Sequence, residues 1–235
     1  MQSTKTKKRI KKTKETEFFE QHYNEIQPYI PALKPYTQAQ REYINAIKTN
    51  QIIFSTGPAG TGKTYVAASL ALEALVSDKQ TRIILVRPMV EAEERVGFLP
   101  GTLEEKYTPY LGPFLDVFES KVGSANVKRY IDTGRILLQP LAFMRGKTYD
   151  NAWVLFDEAQ NATARQMKLL LTRIGNNSKF IIDGDIDQVD IRGNNGLQDA
   201  VQRLSTIKDI AFVEFYEEDI VRNDIIKDIL KAYRS

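Results

Sequence analysis

Gly57-Pro58-Ala59-Gly60-Thr61-Gly62-Lys63-Thr64 follows the short apolar run Ile52-Ile53-Phe54 and opens onto residues 65–76, where Val66, Ala67, Leu70, Ala74 and Leu75 share one helical face. The octapeptide fits G-x-x-x-x-G-K-[ST], the phosphate-binding P-loop, in the strand–loop–helix context that the motif requires. Its glycines let the backbone curl until successive N–H groups point inward, and the helix N-terminus completes an anion site. Gly57, Pro58, Ala59, Gly60, Thr61, Gly62, Lys63, Thr64 and Tyr65 are therefore the expected nucleotide contacts. Lys63 is expected to reach the β- and γ-phosphates, and the Thr64 hydroxyl to ligate Mg²⁺. The bland alternative, a glycine-rich turn, leaves the flanking pattern unexplained.

A P-loop needs a second acidic element, expected on a neighbouring strand. Val154-Leu155-Phe156-Asp157-Glu158 fits: an apolar run that delivers two carboxylates to the carboxyl end of a strand, where α/β sheets hold ligands. Asp157 is expected to hold Mg²⁺ through its waters, and Glu158 to orient and polarise the attacking water. A capping box begins only at Thr163, so neither acid is needed as a helix cap. A further strand ends in Asp183-Gly184-Asp185-Ile186-Asp187-Gln188, from which Gln188 is expected to touch both the γ-phosphate and the lytic water. Asp-Gly is also ordinary turn chemistry, which is the competing reading of that segment.

Working outward, Thr37 with Gln40 three residues on marks a helix start, and that helix is expected to run through residue 47. Strands are expected at 81–86, 135–139, 153–156, 179–182 and 210–215. Helices are expected at 164–174 and 219–233, with mostly helical signals across 91–130. Strands alternating with helices, several of them continuously apolar, indicate an α/β fold whose mostly parallel sheet carries helices on both faces. Residues 107, 110, 111, 114, 115 and 118 follow helical spacing. That assigns most of the aromatics among them to the core and leaves Phe98 as the one open candidate for base stacking.

The 235 residues, 42% of them hydrophobic, suit one sizeable domain: a basic arm and extension over 1–34, then a single domain over 35–235. Seven of the 33 Lys/Arg residues fall within the first 14 positions with no acid among them, leaving 26 basic against 30 acidic residues in the rest. The arm reads either as a clamp on a nucleic-acid backbone or as a solubilising tail. No run reaches the roughly 18 apolar residues of a membrane span, and the lysine-rich start is not a secretory signal. With no cysteine, disulfides and thiolate metal sites are excluded, and a cytoplasmic location is expected. His22, the single histidine, has no partner at metal-ligand spacing, so Mg²⁺ held by oxygen is the expected metal.

Arg87-Pro88-Met89-Val90-Glu91-Ala92, Gly97-Phe98-Leu99-Pro100-Gly101 and Leu103-Glu104-Glu105-Lys106 resemble segments of the PhoH-like ATPases. So do Ala142-Phe143-Met144-Arg145-Gly146-Lys147-Thr148 and Phe156-Asp157-Glu158-Ala159-Gln160-Asn161, and the blocks fall in the family's order from about residue 35 to 233. The resemblance implies a RecA-like P-loop NTPase fold related to superfamily 1 helicases. It also implies ATP hydrolysis, a ring-shaped homo-oligomer (usually a hexamer) and an association with RNA metabolism. In those terms Gln40 looks like the adenine-reading glutamine, residues 184–188 are similar to motif III, and Asp219-Ile220-Val221-Arg222 resembles the family's terminal arginine motif. Some relatives place a PIN-type ribonuclease domain ahead of the ATPase. Fewer than 60 residues precede the P-loop here, so no nuclease site is expected.

A helicase closes nucleotide between two cores, the second supplying an arginine worth ~10³–10⁵ in rate. One core is expected here, so Arg222 is the candidate finger, acting in trans, with a surface ion pair to Glu218 or Asp219 as its alternative. Arg87 and Arg145 are second choices, for the finger or for gripping RNA or a partner subunit. The leading functional reading is an ATP-hydrolysing motor or remodeller working as a ring on single-stranded RNA. The alternatives are a nucleotide-dependent switch or scaffold that unwinds nothing, and a small-molecule kinase, against which the Asp157-Glu158-Ala159-Gln160 motif argues.

Overall fold

The computed structural model describes residues 28–88, 108–186, 188 and 195–221. The basic arm, His22, Phe98, Tyr107, Arg222 and most of the expected final helix lie outside those residues. Six strands form one sheet: β1 (Ile52–Thr56), β2 (Arg82–Val86), β3 (Ile136–Leu138), β4 (Ala152–Phe156), β5 (Lys179–Gly184) and β6 (Ile210–Glu214). Their order is β3-β2-β4-β5-β1-β6, and every pairing is parallel. The expected mostly parallel sheet is thus parallel throughout, and the order adds a correction. β4, with its acidic pair, does not neighbour β1, because β5 is inserted between them. Crossover order depends on how helices pack across the sheet, and no local residue pattern encodes it.

The strands are continuously apolar because both faces are covered. Ile53, Ile83, Leu85, Leu155 and Ile181 enter one core, while Phe54, Ile84, Val86, Val154, Phe156, Phe180 and Ile182 enter the other. The first core is closed by α1 (Gln38–Thr49), α2 (Lys63–Ser77), α3 (Gly112–Val122) and α4 (Ser124–Asp132). The second is closed by α5 (Ala164–Leu171), α6 (Gly196–Leu204) and the 3₁₀ turn Leu141–Met144. Leu111, Phe114 and Phe118 are buried as their spacing predicts, whereas Tyr110 is exposed. Among the described residues, no helix is long and apolar enough to cross a membrane.

Helix ends follow local chemistry closely. Thr37 Oγ1 accepts from Gln40 N, and Thr163 with Gln166 forms the full reciprocal capping box. Two helix C-termini are capped from a distance. Arg135 donates to the carbonyls of Leu75 in the last turn of α2 and of Asp78 and Thr81 beyond it, and Lys179 donates to those of Ile47 and Asn50 at the end of α1. Two expected helices differ. α5 stops at Leu171, where the Thr172 hydroxyl bonds back to Lys168 O, and Ile174 instead bridges Tyr149 in parallel. The expected start at 219 is occupied by a 3₁₀ turn over Glu217–Asp219 followed by extended backbone at Ile220.

Candidate active site

Parallel register brings the chemistry together. Val86 pairs with Phe156, Phe156 with Ile182, and Thr56 with Gly184, so the residues leaving β2, β4, β5 and β1 emerge at one sheet edge. The resulting cleft, about 420 Å³, is lined by Ala59, Gly60, Gly62, Lys63, Thr64, Tyr65, Arg87, Pro113, Val117, Asp157, Glu158, Gly184, Asp185 and Gln188. Ala59, Gly60, Gly62, Lys63, Thr64 and Tyr65, the acidic pair and Gln188, each expected from sequence, therefore share one cavity, whereas Gly57, Pro58 and the buried Thr61 do not line it.

The P-loop curls as its glycines predict. Gly57 has φ 130°, and a Cβ there would meet Phe215 O at 2.1 Å. Gly62 has φ 87°, and its Cβ would meet Gln40 Nε2 at 2.8 Å. Gly62 caps α2 without any side-chain bond, which leaves the first N–H groups of the helix for a ligand. Lys63 Nζ donates to Gly57 O at 2.7 Å and Pro58 O at 2.9 Å, and Thr61 is buried with its hydroxyl on Pro58 O at 3.1 Å. Burial lowers the Lys63 pKa, opposed by the charges of Asp183, Asp185, Asp157 and Glu158.

Gln40 is buried and belongs to the loop's support. Its Nε2 donates to Thr61 O at 2.9 Å, and its Oε1 accepts from Tyr36 N at 2.8 Å. The preceding carbonyl of the loop is held by Val221 N, which donates to Gly60 O at 3.0 Å. Arg222 follows directly but lies outside the described residues.

Burial, with the charges of Asp183 and Glu158, raises the Asp157 pKa to about 7. Glu158 adopts φ 55° and ψ 38°, a left-handed conformation that costs a non-glycine residue about 1–3 kcal/mol. Both its oxygens are engaged: Oε1 pairs with Arg87 at 2.5 Å, and Oε2 accepts from Gln160 Nε2 at 2.6 Å. Gln160 Oε1 in turn accepts from Asp185 N at 3.0 Å. Arg87, Glu158 and Gln160 therefore tie the ends of β2, β4 and β5 together. Gln188 is exposed at the cleft, its N–H on Asp185 O at 3.3 Å.

Sequence reasoning missed the layer beneath. Asp183 is buried, and its Oδ1 accepts from Ser55 Oγ at 2.5 Å and from the Tyr43 hydroxyl. Burial raises the pKa of Asp183, and burial followed by the Asp183 charge raises that of Tyr43. The only advance signal was Tyr43 lying three residues from Gln40, on the same helical face. Nor does the spacing of the acidic motif signal that Gln160 bridges Glu158 and Asp185.

Thr64 and Asp157 offer a hydroxyl and a carboxylate, hard oxygen donors suited to Mg²⁺ completed by phosphate oxygens and water. Among the described residues no group of three or more His, Cys, Asp or Glu would hold a metal alone.

Comparison with known proteins gives a consistent result. The profile of a family described as PhoH-like protein matches residues 32–234. A PhoH-like protein of Bacillus subtilis strain 168 is 44% identical over 230 residues, covering 96% of this chain and 72% of the relative. One from Mycobacterium tuberculosis strain H37Rv is 46% identical over 203 residues, covering 86% of this chain and 58% of the relative. The chain thus spans 58% of the length of the mycobacterial relatives it matches. Among solved structures, the large terminase from a thermophilic bacteriophage superposes with a TM-score of 0.52 at 12% identity, covering 84% of this chain and 50% of that one. The same terminase in complex with ATP-gamma-S gives 0.51 at 13% identity, covering 84% and 49%. The shared feature is a RecA-like P-loop fold.

Proposed function

The chain belongs to the PhoH-like protein family, and from that premise we propose that it binds and hydrolyses ATP with Mg²⁺. It would do so as a helicase-like motor or remodeller, assembled as a homo-oligomeric ring, a hexamer, on single-stranded RNA. The observation that carries the hydrolysis reading is the convergence of Lys63, Thr64, Asp157, Glu158 and Gln188 on one cleft.

Lys63 exchanges the Gly57 and Pro58 carbonyls for β- and γ-phosphate oxygens, and the α2 N-terminus adds backbone donors. Thr64 and Asp157 would hold Mg²⁺, which would supply charge neutralisation to the phosphates. Glu158 accepts a proton from water as the water oxygen bonds to the γ-phosphorus. The bond to the bridging oxygen breaks, and ADP leaves with that electron pair. Gln188 orients the water and links its position to β5. Gln40, expected to read adenine, acts instead on the loop through its bond to Thr61 O, and Arg222 comes from a neighbouring subunit. Glu158→Gln is expected to abolish turnover while ATP binding, read by calorimetry, is retained; unchanged turnover removes Glu158 from this role.

One observation favours the second reading, a nucleotide-dependent switch that unwinds nothing: both Glu158 oxygens are held by protein donors. Steady-state hydrolysis with and without RNA separates the two. The motor predicts stimulation that weakens with salt, and the switch a slow rate that RNA leaves unchanged.

A further inference from the structure

We propose that Arg87 is a catalytic arginine supplied in cis, held on Glu158 until the γ-phosphate of ATP competes for it. This rests on the hydrolysis reading above and adds a residue to it.

Arg87 leaves the carboxyl end of β2 at the level of Asp157, because Val86 pairs with Phe156. Its side chain is partly buried, 24% exposed, and lines the same cleft as Lys63 and Thr64. Two contacts to described residues hold the guanidinium. NH1 donates to Tyr110 O at 2.8 Å, in the 3₁₀ turn Thr108–Leu111, and NH2 pairs with Glu158 Oε1 at 2.5 Å. The first contact is to backbone. The second is to the side chain expected to bind the attacking water, so NH2 already lies beside the place where the γ-phosphate reacts.

A triphosphate in the P-loop puts more negative charge next to NH2 than one carboxylate does, and a guanidinium binds phosphate oxygens in a planar fork. Transfer of NH2 to a γ-phosphate oxygen, with NH1 still on Tyr110 O, frees Glu158 Oε1 to accept from water. One exchange therefore delivers a cation to the developing charge and a proton acceptor to the nucleophile. ADP lacks the γ-phosphate and leaves the Arg87–Glu158 pair intact. The arrangement needs no second subunit, so it acts alongside any arginine that a neighbour contributes.

The test compares the full-length wild type with Arg87→Ala and Arg87→Lys. Affinities for ATPγS and ADP are measured with Mg²⁺ by calorimetry, and single-turnover rates with and without added guanidinium ion. Arg87→Ala is expected to slow turnover about 10²-fold, to lose affinity for ATPγS but not ADP, and to recover rate with guanidinium. Arg87→Lys keeps the charge without the fork, and is expected to fall between the two with an unchanged melting temperature. Mixing Arg87→Ala with Lys63→Ala protein is expected to restore nothing, since both residues serve one subunit's site.

Turnover that is unchanged or faster in Arg87→Ala overturns the proposal, as does equal weakening of ATPγS and ADP. Recovery of activity on mixing overturns the in-cis assignment. A wild type that binds no ATPγS overturns the hydrolysis reading and this inference with it; a wild type that turns over while Arg87→Ala matches it removes the inference alone.

Discussion

Asp157 sits in an environment far from what its neighbours in the chain suggest. Burial and the nearby carboxylates raise its pKa to about 7, against about 3.9 for an unperturbed aspartate. Between those values the folded protein holds a proton that the unfolded chain has released. The folded state therefore binds more protons, and stability falls as pH rises from about 4 to about 7. Nucleotide-free protein is expected to lose melting temperature over that window, and Asp157→Asn, which carries no charge to desolvate, to lose less. Identical slopes for the two proteins would show that Asp157 is not the group responsible. If Asp157 holds Mg²⁺ as proposed, metal and proton compete for its carboxylate, and metal-dependent nucleotide affinity is expected to rise with pH near neutrality.

Among the elements, α1 carries more of the site than its helical pattern announces. Its Gln40 supports the P-loop backbone, its Tyr43 reaches Asp183 on β5, and its C-terminal carbonyls are capped by Lys179, which also lies over the Trp153 ring at 5.6 Å. Lys179→Met keeps the apolar stem but removes the charge from the helix C-terminus. It is expected to cost about 1–2 kcal/mol, measured by urea denaturation, and a loss near zero would show that water caps α1 equally well. Local rules served these elements unevenly. The Thr37 and Thr163 caps were readable because each bond closes within three residues. The early stop of α5 was not, because the bridge from Ile174 to Tyr149 competes with one more helical turn.

For the whole molecule, one RecA-like core holds Lys63, Asp157, Glu158 and Arg87 around one cleft. If a ring adds Arg222 from a neighbour, ATPase rate per subunit is expected to climb with protein concentration as light scattering reports assembly. It is then expected to drop in Arg222→Ala without disassembly. A rate that is independent of concentration, from a monomer, leaves Arg87 as the arginine that matters and removes the trans contribution.

By itself the sequence determined what local chemistry controls: the P-loop, the Asp157–Glu158 pair at a strand end, the helix caps, and a sheet covered on both faces. Each depends on residues a few positions apart, where spacing and backbone geometry leave little freedom. Only the tertiary structure decided that β5 separates β1 from β4, which places Asp183 under the P-loop and joins Gln160 to Asp185. It also decided that Arg87, 71 residues from Glu158, shares an ion pair with it. Those contacts follow from strand order and register across crossovers, which are set by packing on the two sheet faces and leave no mark in the spacing of the residues they unite.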